Sequence, residues 1–342
     1  MIRLGILCPS DIAFRRFLPA LRNASDQFAF VGVAIARPEE WFEDLSNLTK
    51  EKMAEQLSNE MAKAIAFGGK VFNGYETIIK SDEIDAIYIP LPPALHYKWA
   101  RLALFSGKHV LVEKPSTCNL MDTEDLISLA AEHDLALHEN YMFVFHKQIE
   151  ELNEIVKRGD ILGVPRLYRL TFGFPRRSLT DFRYNKRLGG GALLDAGGYT
   201  LKYAGILLGE TARLTTAQVN YDPDVDVDIF GSATMVNDEG LTAQIAFGID
   251  NDYRCDIEVW GSRGSLTSGR ILTAPTDYTP KYTVKHNQEY LTFEFSQDDA
   301  FLKSLLRFAE CIVKAKTREE NYAIIRRQSR YIQDFKDLSN LS

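Results

Sequence analysis

Residues 87–115 read IYIPLPPALHYKWARLALFSGKHVLVEKP, and their reading decides the fold. An apolar run from Ala86 to Ile89 reads as a strand, the pattern from about His96 to Ser106 as a helix stopping at Gly107, and Val110 to Val112 as a second strand. Two short apolar strands joined by a covering helix are the unit from which parallel sheets are built. Upstream, the same alternation gives a strand over Ile2 to Leu7 and a helix from Ala13 to Asn23 with Phe14, Phe17, Leu18 and Leu21 on one face. Strands over Phe28 to Ile35 and Val71 to Phe72 follow. Downstream, a helix near Asp122 to His133 leads to a strand near Leu135 to Leu137. Residues 1–140 therefore read as an α/β domain with a doubly wound parallel sheet.

Beyond residue 140 the pattern changes. From Leu167 the runs LYRLTFGF, RLTTAQVNY, GSATMV, LTAQIAFGI, DIEVWG and YLTFEF read as successive strands separated by turn residues. They predict an α+β domain over residues 141–342 with a large, mostly antiparallel open sheet, closed by helices near Phe301 to Lys314 and Glu319 to Leu338. Between the second and third strands lies a charged insertion, Glu39 to Gly69, with a helical pattern from about Thr49 to Phe67. It reads as a longer covering helix or as a lid or partner surface.

Composition narrows the function. The 342 residues are 45% hydrophobic and 25% charged, ordinary for a globular protein, and a net charge of −7 argues against a broad nucleic-acid footprint. Cys8, Cys118, Cys255 and Cys311 are too dispersed for a zinc site or a disulfide framework, so no metal is expected and a reduced, cytoplasmic setting fits. No run approaches the roughly 18 apolar residues of a membrane span, and the N-terminus lacks an export signal.

Candidate chemistry lies at strand ends, because ligands of open α/β sheets bind at the carboxyl edge. The turn after the first strand, Cys8-Pro9-Ser10-Asp11-Ile12-Ala13, is poor in glycine where a dinucleotide pyrophosphate would approach backbone N–H groups; it reads as a plain turn or as an altered phosphate site, with Ser10 able to donate a hydroxyl. After the second strand, Ala36 and Arg37 would favour the 2′-phosphate of NADP, while Glu39 and Glu40 keep NAD possible. Pro90, Leu91, Pro92 and His96 follow the fourth strand, and Glu113 and Lys114 the fifth, where Lys114 faces either the cleft or solvent. The segment Leu188 to Tyr199, LGGGALLDAGGY, opens a helix that would align Asp195, Tyr199 and Tyr203 on one face, either toward a ligand or in the core.

Taken together, the chain resembles the glucose–fructose oxidoreductase / inositol dehydrogenase / MocA (Gfo/Idh/MocA) family. The resemblance rests on GILCPSDIAFRRFLPAL, the 87–115 stretch with its EKP motif, ENYMFVFH, and DFRYNKRLGGGALLDAGGY, in that order over nearly the whole chain. It implies an N-terminal Rossmann domain binding NAD(P), with NADPH preferred, and a substrate domain whose open sheet often makes subunit contacts, hence a homo-oligomer, dimer or tetramer. Lys114 resembles the family's EKP lysine, and Asp195 and Tyr199 match its D-x-G-x-[HY] motif. The tyrosine form, with GFPRRSLTDFRY and GRILTAPTDYTP, is most similar to nucleotide-linked deoxysugar 3-ketoreductases.

What the resemblance implies is reduction of a sugar keto group by hydride transfer. Tyr199 would donate the proton, Lys114 would orient the oxygen and ease that transfer, and Asp195 would accept from a sugar hydroxyl or from Lys114. Arg183 and Tyr184 would grip substrate hydroxyls or a diphosphate, and His96 would lie beside the nicotinamide. The sequence departs from the family pattern at Cys8-Pro9-Ser10, at Pro93, where asparagine is common, and at Val144, where arginine is frequent. Oxidation of a free aldose, polyol or dihydrodiol is the alternative within the same chemistry. A noncatalytic dinucleotide sensor signalling through residues 39–69 is the alternative outside it.

Overall fold

The structure, a computed structural model, describes residues 1–40 and 50–340. The chain forms two compact units. One comprises Met1–Thr117, Met121–Asn140 and Ser304–Arg326, and the other Cys118–Leu120, Tyr141–Lys303 and the residues from Arg327 on.

In the first unit, β1 (Ile2–Leu7), β2 (Phe28–Ile35), β3 (Lys70–Asn73), β4 (Ala86–Ile89), β5 (His109–Val112) and β6 (Leu137–Glu139) form one sheet in the order β3-β2-β1-β4-β5-β6. Every pairing is parallel. This is the doubly wound arrangement, whose strand order reverses between β1 and β4 and so opens a crevice at their carboxyl ends. The strands read as unbroken apolar runs because both faces are covered: Leu4, Ile6, Ile87, Tyr88 and Ile89 have no exposed surface. The covering helices are α1 (Leu18–Asn23), α2 (Lys50–Phe67), α3 (Tyr75–Ile79), α4 (Pro93–Phe105) and α5 (Leu120–Glu132).

Several boundaries differ from the sequence reading. The helix expected over 13–23 enters through a wide, π-type turn at Ala13–Phe17. Helix α4 starts at Pro93, three residues early, since proline in the first turn lacks only an N–H that has no helical partner anyway. Strand β6 is displaced to Leu137–Glu139, where the buried polar residues His138 and Glu139 mask its apolar signal. Helix α2 confirms a covering helix within 39–69, burying Ala64 and Phe67; residues 41–49 of that insertion lie outside the described residues.

In the second unit, helix α6 (Lys147–Arg158) precedes β7 (Pro165–Gly173), and α7 (Gly198–Leu208) is followed by β8 (Arg213–Tyr221), β9 (Asp228–Val236), β10 (Thr242–Gly248), β11 (Arg254–Gly261), β12 (Gly264–Gly269), β13 (Lys281–His286) and β14 (Glu289–Glu294). They form an eight-stranded sheet in the order β14-β13-β12-β11-β7-β10-β9-β8, antiparallel except at β7·β10. Strand alternation buries Tyr168, Leu170, Phe172, Ile245, Phe247, Ile257 and Val259, while Arg169 donates to Gln244 and to Glu258 across the open face. Strands β12 and β13 escaped the sequence reading because GSLTSG and KYTVKH lack a long apolar alternation.

Helices α8 (Ala300–Val313) and α9 (Ala315–Ser339) close the chain. A single cut at residue 140 does not describe the units, because Ser304–Arg326 belongs with the parallel sheet. Phe308 stacks on Phe28 at 6.3 Å, Asn321 Nδ2 donates to Leu137 O at 2.6 Å, and the Tyr322 hydroxyl donates to Leu135 O. No described helix is long and apolar enough to cross a membrane.

Candidate active site

Because the six strands of the first unit run parallel, one carboxyl edge gathers Cys8 to Ile12 after β1, Ala36 and Arg37 after β2, Pro90 to Pro92 after β4, and Glu113 and Lys114 after β5. Pro9, Ala36, Pro90 and Leu91 are buried, which leaves Cys8, Ser10, Asp11, Ile12, Arg37, Pro92, Glu113 and Lys114 with surface at that edge.

The glycine-poor first turn still takes a glycine's conformation. Cys8 has φ of 76°, a left-handed backbone that costs an L-residue about 1–2 kcal/mol. Its N–H donates to Ala34 O at 3.1 Å, and Ser10 Oγ accepts from Ala13 N–H at 3.3 Å, capping the helix. The first helical bond runs from Phe14 N–H to Ser10 O, so the N–H groups of Asp11 and Ile12 precede the ladder and are available to an anion. Burial pushes the Cys8 thiol up to about 11, with Tyr75 bonded to it. Iodoacetamide at neutral pH is therefore expected to label Cys8 about 100-fold more slowly than a free thiol, measured by peptide mass spectrometry; labelling at the free-thiol rate would contradict this environment.

After β2, Glu40 is a buried staple. Its carboxylate accepts from the backbone N–H of Arg37 (2.8 Å), Tyr75 (2.9 Å) and Glu76 (3.0 Å), tying the β2 end to the start of α3. Burial opposes its charge, but those three bonds and the Arg37 guanidinium hold it below the usual carboxylate range. Arg37 Nη2 lies 3.3 Å from Glu40, and Nη1 has no hydrogen bond among the described residues. Free helix N–H groups and an open guanidinium corner fit the pyrophosphate and 2′-phosphate of a dinucleotide.

His96 does not offer its ring to a ligand. It is fully buried, with Nε2 2.6 Å from Leu91 O and Nδ1 2.7 Å from Pro115 O, and burial holds its pKa at about 4 against the pull of both carbonyls. The expected nicotinamide contact is thus replaced by a tie between the turns after β4 and β5. Glu113 Oε1 accepts from Tyr88 Oη and Asn140 Nδ2, both at 2.6 Å; Ser304 Oγ then donates to Asn140 Oδ1 at 2.8 Å and lies 3.0 Å from His138 Nε2. Burial raises the pKa of Glu113. These bonds fix the backbone that carries Lys114.

In the second unit, the glycine run places Asp195 and Tyr199 at the entry to α7. A π-type turn at Leu193–Gly197 precedes the helix, so the step from Asp195 to Tyr199 is not that of a regular α-helix, whereas Tyr199 and Tyr203 keep the four-residue spacing within α7. Tyr203 is a core residue with no exposed surface, packed on Phe143. Tyr199 retains 8% exposure inside a cage of Tyr141, Phe172 and Phe143, with ring centroids 5.2, 5.3 and 5.7 Å away. Gly198 makes this possible, since a Cβ there would sit 2.2 Å from Tyr141 Oη.

Asp195 Oδ2 accepts from Arg183 Nε at 2.5 Å, and Asp181 accepts from Arg183 Nη1 at 3.1 Å, leaving Nη2 without a hydrogen bond among the described residues. Tyr184 is overturned as a gripping residue: it is buried, its hydroxyl donating to Ile249 O at 3.0 Å and accepting from Arg177 N–H at 2.9 Å. A cleft of about 620 Å³ in this unit, between α6, β7 and the β9–β10 turn, contains none of these residues.

Asp228 belongs to the site without any local motif to mark it. Its buried carboxylate accepts from Leu193 N–H at 2.7 Å, and Oδ1 would lie 2.1 Å from a Cβ on Gly191, whose φ is 113°. Burial raises its pKa from 3.8 to about 6. The raised value means that Asp228 adds stability below its unfolded pKa of 3.8, and that this contribution is lost as pH rises through about 6. Asp228→Asn, which cannot titrate, is expected to gain about 2–3 kcal/mol relative to wild type between pH 4 and 7.5 in denaturant titrations. A difference independent of pH would contradict the buried carboxylate.

Comparison with known proteins agrees with this architecture. The model of the oxidoreductase family GFO_IDH_MocA with an NAD-binding Rossmann fold matches residues 15–141, and that of the GFO/IDH/MocA C-terminal domain matches residues 149–267. A dTDP-3,4-didehydro-2,6-dideoxy-alpha-D-glucose 3-reductase of Actinomadura kijaniata is 34% identical over 319 residues, covering 93% of this chain and 90% of that protein. The enzyme of that description from Streptomyces violaceoruber is 36% identical over 317 residues, covering 92% and 86%. The crystal structure of KijD10, a 3-ketoreductase from Actinomadura kijaniata in complex with NADP and TDP-benzene, superposes with a TM-score of 0.87 at 32% identity, covering 99% and 98% of the chains. Structures of KijD10 with one tyrosine changed to phenylalanine, and with one lysine changed to alanine, match as well. From its N-terminal parallel sheet through its open C-terminal sheet, the chain belongs to the Gfo/Idh/MocA family of oxidoreductases.

Proposed function

We propose that this protein is an NADPH-dependent ketoreductase that reduces the keto group of a dTDP-linked deoxysugar to the alcohol. The observation that carries this reading is the placement of Lys114 after β5 and of Tyr199 at the head of α7. The lysine and tyrosine varied in KijD10 have the same separation in sequence to within one residue.

Bound NADPH supplies the hydride for the carbonyl carbon. The N–H groups of Asp11 and Ile12 hold the pyrophosphate, Ser10 adds a hydroxyl, and Arg37 takes the 2′-phosphate. Lys114 brings an ammonium to the carbonyl oxygen, where negative charge develops as reduction proceeds. Tyr199 gives that oxygen its phenolic proton and regains one from solvent. A phenol, whose ordinary pKa is about 10, is an acid strong enough to protonate an alkoxide. Asp195 and Asp181 hold Arg183 by two of its nitrogens, so that the remaining Nη2 faces a substrate oxygen; Asp195 is then a positioning residue rather than an acceptor for a sugar hydroxyl.

Self-association as a dimer or tetramer is proposed through the uncovered face of the eight-stranded sheet. Four free cysteines fit a reducing compartment such as the cytoplasm. Fluorescence titration with NADPH and NADH tests the cofactor reading. Tighter binding of NADPH is expected, and binding of neither would overturn it.

A further inference from the structure

We infer that Glu39 and Glu76 set the cofactor preference by competing with the 2′-phosphate for Arg37, acting as a brake that keeps the unphosphorylated dinucleotide within reach. The inference rests on the cofactor reading above and names residues that modulate it.

The Arg37 guanidinium is ringed by three carboxylates: Glu39 Oε1 is 3.3 Å from Nε, Glu40 Oε1 is 3.3 Å from Nη2, and Glu76 Oε2 is 3.6 Å from Nη2. The three are not equivalent. The Glu40 side chain is 4% exposed and spends its oxygens on backbone N–H groups, so it is part of the fold. The side chains of Glu39 (65% exposed) and Glu76 (43% exposed) hold no backbone in place and face water. The Arg37 side chain lies over Gly74, whose added Cβ would meet Nε at 2.7 Å, so the guanidinium is seated on the β3–α3 turn.

Lys80 also pairs with Glu76, and the cluster of Arg37, Lys80, Glu39, Glu40 and Glu76 carries one net negative charge. A 2′-phosphate brings close to two more negative charges to this spot and must share Arg37 with carboxylates already on it. A 2′-hydroxyl brings no charge and can donate to Glu39. The carboxylates therefore weaken the phosphorylated dinucleotide selectively.

The test is the ratio of NADH to NADPH dissociation constants, by fluorescence titration of the full chain. Glu39→Gln/Glu76→Gln is expected to bind NADPH about three- to tenfold more tightly and NADH no better, so the ratio rises. Glu39→Gln alone, at a largely exposed side chain, is expected to give a smaller rise and keeps the test valid should Glu76→Gln lower stability. A ratio that stays constant or falls would overturn the brake and leave the carboxylates as mere orienters of the guanidinium. Failure of the wild-type protein to bind either dinucleotide would instead overturn the cofactor reading itself.

Discussion

Tyr199→Phe is expected to lower turnover by about 10²- to 10³-fold while NADPH affinity stays within about twofold of wild type. The substitution removes one oxygen and little else. The Tyr199 ring is held by Tyr141, Phe172 and Phe143 through face and edge contacts, which phenylalanine makes equally well. The loss should appear in kcat rather than in the KM for the sugar, because proton donation matters when charge develops on the oxygen. Cofactor affinity is the control, since Tyr199 is not among the residues proposed to hold the dinucleotide. Turnover within threefold of wild type would remove Tyr199 as the proton donor.

Lys114→Met is the second large effect, with turnover down about 10²- to 10³-fold, the usual loss when one group stabilising a developing oxyanion is removed. Methionine keeps an unbranched chain of similar length and discards the charge. The backbone beneath it is held independently, by His96 on Pro115 O and by Tyr88 and Asn140 on Glu113, so the variant should fold and bind NADPH. Thermal melting should confirm an intact fold before rates are compared. If Lys114→Met is inactive and Lys114→Arg recovers part of the rate, charge is the property that matters. Equal activity of the methionine variant would exclude Lys114 from the chemistry.

The parallel sheet was legible in the sequence because strands buried on both faces leave continuous apolar runs, and the carboxyl edge then places Arg37, Glu113 and Lys114 by topology alone. Contacts between distant segments were not legible. Asp228 caps a turn 35 residues away, and Ser304 completes a network begun by Tyr88; nothing local in the sequence announces either. His96 and Tyr184 were misplaced because a buried polar side chain with backbone partners looks the same as an exposed one in a sequence pattern. Cys8 misled in the other direction: glycine is the easiest residue at φ of 76°, but the surrounding bonds hold a cysteine there.

The most direct measurement is NADPH consumption with a dTDP-linked 3-keto deoxysugar, set beside NADP⁺ reduction with free aldoses and polyols. Rapid oxidation of NADPH with the nucleotide-linked ketone, and little activity with the free sugars, is the expected result. Efficient oxidation of a free sugar with no turnover of the nucleotide-linked ketone would contradict the ketoreductase assignment and make this chain a sugar dehydrogenase.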